Sequence, residues 1–131
     1  MTAKLDLRAS RNIAWEPTIN LFYPGGPLPV SGATIAMEVR LYPGAPGAPL
    51  ARASGIPFVD IPAPPGGGKR CLQLTPVIPF SDLQTFPTGL NNPEPGEADV
   101  YSYDIIVSYA DGSSDKLALG QFILEPGVTR A

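Results

Sequence analysis

Proline and glycine recur so often along this chain that no long helix fits between them. The 131 residues include 17 Pro and 14 Gly. Proline removes a backbone donor and clashes with the preceding turn, and glycine is costly to order inside a helix. Short extended segments joined by turns remain. Lys4-Leu5-Asp6-Leu7-Arg8 alternates and predicts a first strand. Residues 18–23 predict a second, entered after Pro17 and left through Pro24-Gly25-Gly26-Pro27. Residues 34–42 carry the clearest period of two: Ile35, Met37, Val39 and Leu41 face one way, and Ala36, Glu38, Arg40 and Tyr42 the other.

Further strands are expected at 56–61, an edge because Pro57 lies inside it, and at 70–75, with Leu72 and Leu74 buried. Residues 99–109 and 116–124 are expected to pair through a hairpin turn in which Asp111-Gly112 supplies the positive-φ position. Ser81 with Gln84 three residues on reads as a capping box for a short helix over 82–86, ended by Pro87. Residues 43–49, 62–68 and 88–98 read as loops. The prediction is all-β: one Ig-like antiparallel β-sandwich of about seven strands, a single domain over 1–131, with one short helical turn near 81–86.

Composition narrows the function. The chain is 44% hydrophobic and 16% charged, with a formal charge of −3. That suits a packed domain rather than a disordered one. Its nine Lys and Arg are scattered, so nucleic acid is not expected as a partner. No run of apolar residues is long enough to span a membrane. Lys4, Asp6, Arg8 and Arg11 interrupt any signal-peptide core. Single Cys71 excludes an intramolecular disulfide and suits a reducing compartment.

There is no His, which removes the commonest general base and metal ligand. Gly66-Gly67-Gly68-Lys69 fails as a phosphate-binding loop: Ala63 stands where the first Gly belongs, Arg70 where Ser or Thr belongs, and a strand follows. Asp111, Ser113 and Asp115 resemble the start of a Ca²⁺ loop, but Lys116 and Phe122 occupy its Gly and Glu positions. Glu94, Glu97 and Asp99 form an acidic cluster in a Pro/Gly-rich loop, which favours solvated charges over a rigid acid–base pair. No catalytic, metal or cofactor-binding residue is expected, and the chain is read as a non-enzyme.

The residues singled out are structural. Arg40 and Asp104 lie mid-strand, either pairing across neighbouring strands or facing solvent as separate charges. Tyr101 and Tyr103 read as core residues, one of them anchoring a corner through its hydroxyl. Trp15, the lone Trp, is expected to plug the sandwich end. The alternative is a carbohydrate-binding β-sandwich module with Tyr23, Tyr42 and Trp15 as its aromatic platform.

Several short motifs then align with a known group. They are Leu5-Asp6-Leu7-Arg8-Ala9-Ser10-Arg11-Asn12, Ser31-Gly32-Ala33-Thr34, Met37-Glu38-Val39-Arg40, Tyr101-x-Tyr103-Asp104-Ile105, Asp111-Gly112, Gly120-Gln121-Phe122 and Gly127-Val128-Thr129-Arg130. In these the chain resembles small structural proteins of tailed phages and prophages, above all the N-terminal Ig-like domain of baseplate upper proteins. The match omits residues 43–98. The resemblance implies a virion structural protein of the tail, baseplate or head–tail region, located in the bacterial cytoplasm before assembly. It implies protein–protein interaction with other phage structural proteins, a homo-oligomer, and no cofactor. Longer members of that group continue into a stalk or receptor-binding region where this sequence reaches Ala131, so a connector or decorating role is expected. Residues 43–49 and 57–65 are the expected contact or edge-protecting segments, because proline withholds donors from a partner strand.

Overall fold

A computed structural model describes residues 2–62, 68–88 and 96–129. It is an all-β sandwich. Among the described residues the strands are β1 (Ala3–Lys4), β2 (Leu7–Ser10), β3 (Ile19–Pro24), β4 (Thr34–Arg40), β5 (Ala51–Ala53), β6 (Phe58–Pro62), β7 (Lys69–Leu74), β8 (Asp99–Ser108) and β9 (Ser114–Glu125), with the helix α1 (Phe80–Gln84) between β7 and β8. The larger sheet runs β1-β9-β8-β4-β5, with β2 also on β9; the smaller runs β3-β7-β6. The chain therefore crosses between the sheets after β2, β3, β5 and β7.

One-sided burial explains the alternation. Ile35, Met37 and Val39 on β4 face Val107, Ile105 and Tyr103 on β8, and all six are buried. Ile19 and Leu21 on β3 align with Leu74 and Leu72 on β7. The two inner faces meet in one core. Leu117 is an extra residue in β9, because the register shifts between Ile105, opposite Ala118, and Ile106, opposite Lys116. The bulge turns both Leu117 and Ala118 inward.

Several elements depart from the sequence-based expectation. The first strand is two pieces, and both pair parallel to β9 rather than antiparallel. The break falls at Leu5-Asp6. Leu5 N–H still bonds Leu119 O at 3.0 Å, and Asp6 Oδ1 accepts the Gln121 N–H at 3.1 Å. Gly120 makes the detour possible: a Cβ there would lie 2.2 Å from Leu5 O. Tyr103, opposite Gly120 in the ladder, donates its hydroxyl to that same carbonyl. The Leu5 carbonyl therefore occupies the space a larger residue at 120 would fill, and Tyr103 satisfies it. Burial first, then the Asp6 carboxylate, push its pKa up to about 12.

β5 occupies residues that follow the loop at 43–49. The helix starts at the Pro79 carbonyl, not at a Ser81 cap; Pro79 is the N-cap and no side chain caps it. Asp82 and Leu83 N–H both reach Pro79 O, which leaves Ser81 inside the first turn. Burial of Leu83 and Phe86 holds the helix on the core. At the β8–β9 turn, Gly112 has φ +91°, and Asp111 Oδ1 accepts both the N–H and the hydroxyl of Ser113. These bonds hold the Asp111 carboxyl below its usual range. The residues likened to a Ca²⁺ loop thus close a hairpin.

Gly120→Ala is expected to lower stability by roughly 2 kcal/mol or more, because the obstructing atom is backbone and cannot step aside. Thermal unfolding against Tyr103→Phe, which removes only the hydroxyl, will check this. A Gly120→Ala protein that melts like the unaltered chain would refute the role given to Gly120.

Candidate functional site

The densest polar cluster lies where β2 leaves β9 and the β7–β8 connection crosses the sandwich end. Arg11 follows β2 and donates its N–H to Glu125 O at 2.9 Å. Its guanidinium reaches five acceptors: Leu83 O at 3.2 Å, Phe86 O at 2.9 Å, Pro87 O at 3.2 Å, Asp99 Oδ2 at 2.9 Å and Tyr101 Oη at 2.9 Å. The Arg11 and Asp99 side chains are 13% and 8% exposed. Tyr101 in turn donates its hydroxyl to Pro87 O. That is a tyrosine-corner arrangement, with a residue near the start of a strand bonding the connection just before it. Burial raises the Tyr101 pKa, and the Arg11 charge opposes that rise.

Asp99 is thus held by Arg11. It is buried on the inner face and bound to a cation. Glu97 is exposed, and Glu94 lies outside the described residues. The arrangement does mechanical work: the helix C-terminal turn has open carbonyls, and a rigid five-donor fork suits them. Asp99 neutralises the fork, and Phe86 packs edge-on against Tyr101 with centroids 5.1 Å apart. Trp15 closes the same end. It is buried, donates Nε1–H to Arg8 O at 2.9 Å, and meets Phe122 edge-on at 5.1 Å.

A second cluster joins the other sheet. Tyr23 donates to Asp60 Oδ1 at 2.5 Å, and Leu28 N–H lies 3.2 Å from Tyr23 Oη and 3.3 Å from Asp60 Oδ2. Arg70 Nε stands 3.5 Å from Asp60 Oδ1, an ion pair without hydrogen-bond alignment. Burial, then the bond to Asp60, raise the Tyr23 pKa. This cluster ties the turn after β3 to the sheet.

The solvent-facing side of the larger sheet carries a shallow groove of about 340 Å³, lined by Glu38, Arg40, Tyr42, Asp104 and Lys116 among others. Arg40 and Asp104 do lie on neighbouring strands, but they neither pair nor stand alone. The register sets Glu38 opposite Asp104 and Arg40 opposite Ser102. Arg40 binds Glu38 Oε1 at 2.9 Å, Ala45 O at 2.9 Å and Gly47 O at 2.7 Å. Asp104 meets Lys116 Nζ at 3.3 Å. Arg40 thus pins the Pro/Gly loop that follows its own strand. Burial alone would raise the Glu38 pKa, yet hydrogen bonds from Arg40 and Arg52 outweigh it and hold the carboxyl below its usual value.

The proposed sugar platform does not assemble. Trp15 and Tyr23 are buried at 7% and 5% exposure, while Tyr42 is 55% exposed. Buried Cys71 sits on β7, its Sγ 3.7 Å from Asn20 Oδ1. Of the glycine run, Gly66 and Gly67 lie outside the described residues, and Lys69 opens β7. Among the described residues no three His, Cys, Asp or Glu side chains gather as a metal site, and no helix is long and apolar enough to cross a membrane. Neither a family model nor a curated protein matches this sequence.

Arg11 is the residue the sequence reading passed over. Its five acceptors come from distant segments, and the only local signal was a lone cation beside an apolar strand. Arg11→Met is expected to cost about 3–5 kcal/mol, since it strands a buried carboxylate. Denaturant unfolding of Arg11→Met, Asp99→Asn and the double variant should show a double loss well short of the sum. Additive losses would disprove the coupling. At the groove, Glu38→Gln should cost about 0.5–1 kcal/mol at neutral pH. Because the folded pKa is depressed, that stabilisation exists above the usual carboxylate range and fades as pH falls through the lowered value. The melting difference between Glu38→Gln and the parent should shrink in acid, and a constant difference would contradict the assignment.

Proposed function

We propose that this domain is a non-enzymatic virion structural protein of a tailed phage or prophage, a tail, baseplate or head–tail component that acts through protein–protein contacts. One observation carries the reading: its strongest polar clusters bind the protein's own loops. Arg11 holds the β7–β8 connection, Asp60 the turn after β3, and Arg40 the loop at 43–49. Such internal anchoring holds these described segments in fixed positions, which an assembly unit requires.

The motifs behind the phage resemblance support the same reading by where they fall. Arg11 and Tyr101 form the anchor, Tyr103 and Gly120 the strand kink, and Phe122 lies fully buried beneath Trp15. These residues belong to the framework of the sandwich. On this reading the partners are other phage structural proteins and further copies of the chain, in the virion and in the bacterial cytoplasm before assembly.

Mass spectrometry of gradient-purified particles from a phage or lysogen encoding this chain should find it in stoichiometric amount. Deleting its gene should leave incomplete particles visible by electron microscopy. Complete, infectious particles lacking the chain would refute the proposal.

A further inference from the structure

The four sheet edges of this sandwich differ in how they are guarded. β5 has three residues and points Arg52 to solvent. The β1–β2 edge is interrupted at Leu5-Asp6. β6 begins after Pro57, ends on Pro62 and turns the Asp60 carboxylate inward. Short edges, prolines, breaks and inward charges all discourage strand addition. β3 is likewise bracketed by Pro17 and Pro24, but between Ile19 and Tyr23 it is unbroken and its side chains are uncharged.

The direction of its free backbone groups follows from the ladder. Gly25 N–H bonds Gly68 O at 3.1 Å, continuing the β3–β7 register by one residue. Bonded pairs recur at every second residue in an antiparallel ladder. Ile19, Leu21 and Tyr23 therefore turn their backbone groups to β7, and Asn20 and Phe22 turn theirs to the open edge. The opposite edge agrees: Thr75 N–H bonds Pro57 O at 3.0 Å, which assigns the odd residues of β6 to β7. Among the described residues, no backbone hydrogen bond outside the ladder involves Asn20 or Phe22.

We propose that β3 pairs antiparallel with β3 of a second copy of this chain, about a two-fold axis at Leu21, so that the two small sheets become one. This register sets Asn20 of each copy opposite Phe22 of the other. Each such pair exchanges two backbone bonds, so all the outward donors and acceptors of both residues are met. Pro24, without an N–H, still offers its carbonyl. Shifting the register by one would pair residues whose side chains lie on opposite faces, so the pleat itself excludes it.

A second copy suits this edge because the pairing is self-complementary and carries no charge to be matched by another kind of strand. The outer surface continues the argument. Phe22 is 62% exposed and aligns with buried Cys71 and then half-buried Ile61, while Val59, 54% exposed, lies in the next row. The two-fold brings the apolar strips of both copies onto one face. Pro17 and Pro24 bracket the edge and confine pairing to this strand, so the contact closes as a dimer.

Sedimentation equilibrium of the full chain should show a reversible dimer. Phe22→Lys should raise its dissociation constant roughly tenfold or more, leaving the circular dichroism unchanged, and the melting temperature unchanged at concentrations where both proteins are monomeric; Asn20→Lys is the second variant should the first disturb the fold. In a Cys71→Ser background, mixing Asn20→Cys with Phe22→Cys chains should give disulfide-linked dimers on mild oxidation, because bonded antiparallel pairs sit about 5.5 Å apart at Cα. Each variant alone, and Val59→Cys as an edge control, should cross-link poorly. A monomer at millimolar concentration, a dimer indifferent to both lysines, or equal cross-linking by Val59→Cys would overturn the proposal. The inference goes beyond the virion reading: its failure would remove this dimer, whereas the particle analysis decides the virion role.

Discussion

Arg11 lies at the end of the first edge strand, and its guanidinium gathers three carbonyls from the β7–β8 connection, the Asp99 carboxylate and the Tyr101 hydroxyl. The connection must cross from one sheet to the other over an apolar core. Its helix is five residues long and lacks a side-chain cap, so propensity alone does not hold it. Leu83 and Phe86 anchor it from below, and Arg11 closes it from the side. The ionic bond matters because a cation placed at such depth is tolerable only with its acceptors complete. The start of β8, the exit of β2 and the helix are thereby defined together.

The remaining framework shows a common economy. Gly120 has no side chain, and the adjoining Leu5 carbonyl occupies that space and receives the Tyr103 hydroxyl. Trp15 caps the apolar end and bonds the β2 backbone. In each case a large buried side chain donates to a main-chain carbonyl of the first strands. The irregularities of the first strand are therefore compatible with a dry core.

Much of this architecture was legible in the residues. β4 and β8 declared themselves because each buries one face only, and a period of two records that directly. The hairpin at Asp111-Gly112 was equally plain, since a positive φ asks for glycine. β5 was not legible: it is three residues behind a Pro/Gly loop, too short for any period to register. The parallel seating of β1 and β2 was hidden too, because alternation reports a strand's faces and not its direction. The anchor depends on Arg11 meeting Asp99 at a separation of 88 residues, which no local pattern encodes. Arg40 and Asp104 were open to pairing across neighbouring strands or to facing solvent separately; their strands are neighbours, but the two lie two residues out of register, an offset that strand assignment cannot resolve.

The parallel seating of the first strands has a mechanical consequence. Ala3 sits level with Ala118, and Ser10 with Glu125, so the chain enters at one end of β9 and leaves at the other. Tension drawn between those two points would run lengthwise along the β1/β2–β9 seam. The bonds there would be loaded together in shear, not peeled apart singly like a zip. A body strung in line through such a seam yields only when the whole row gives way.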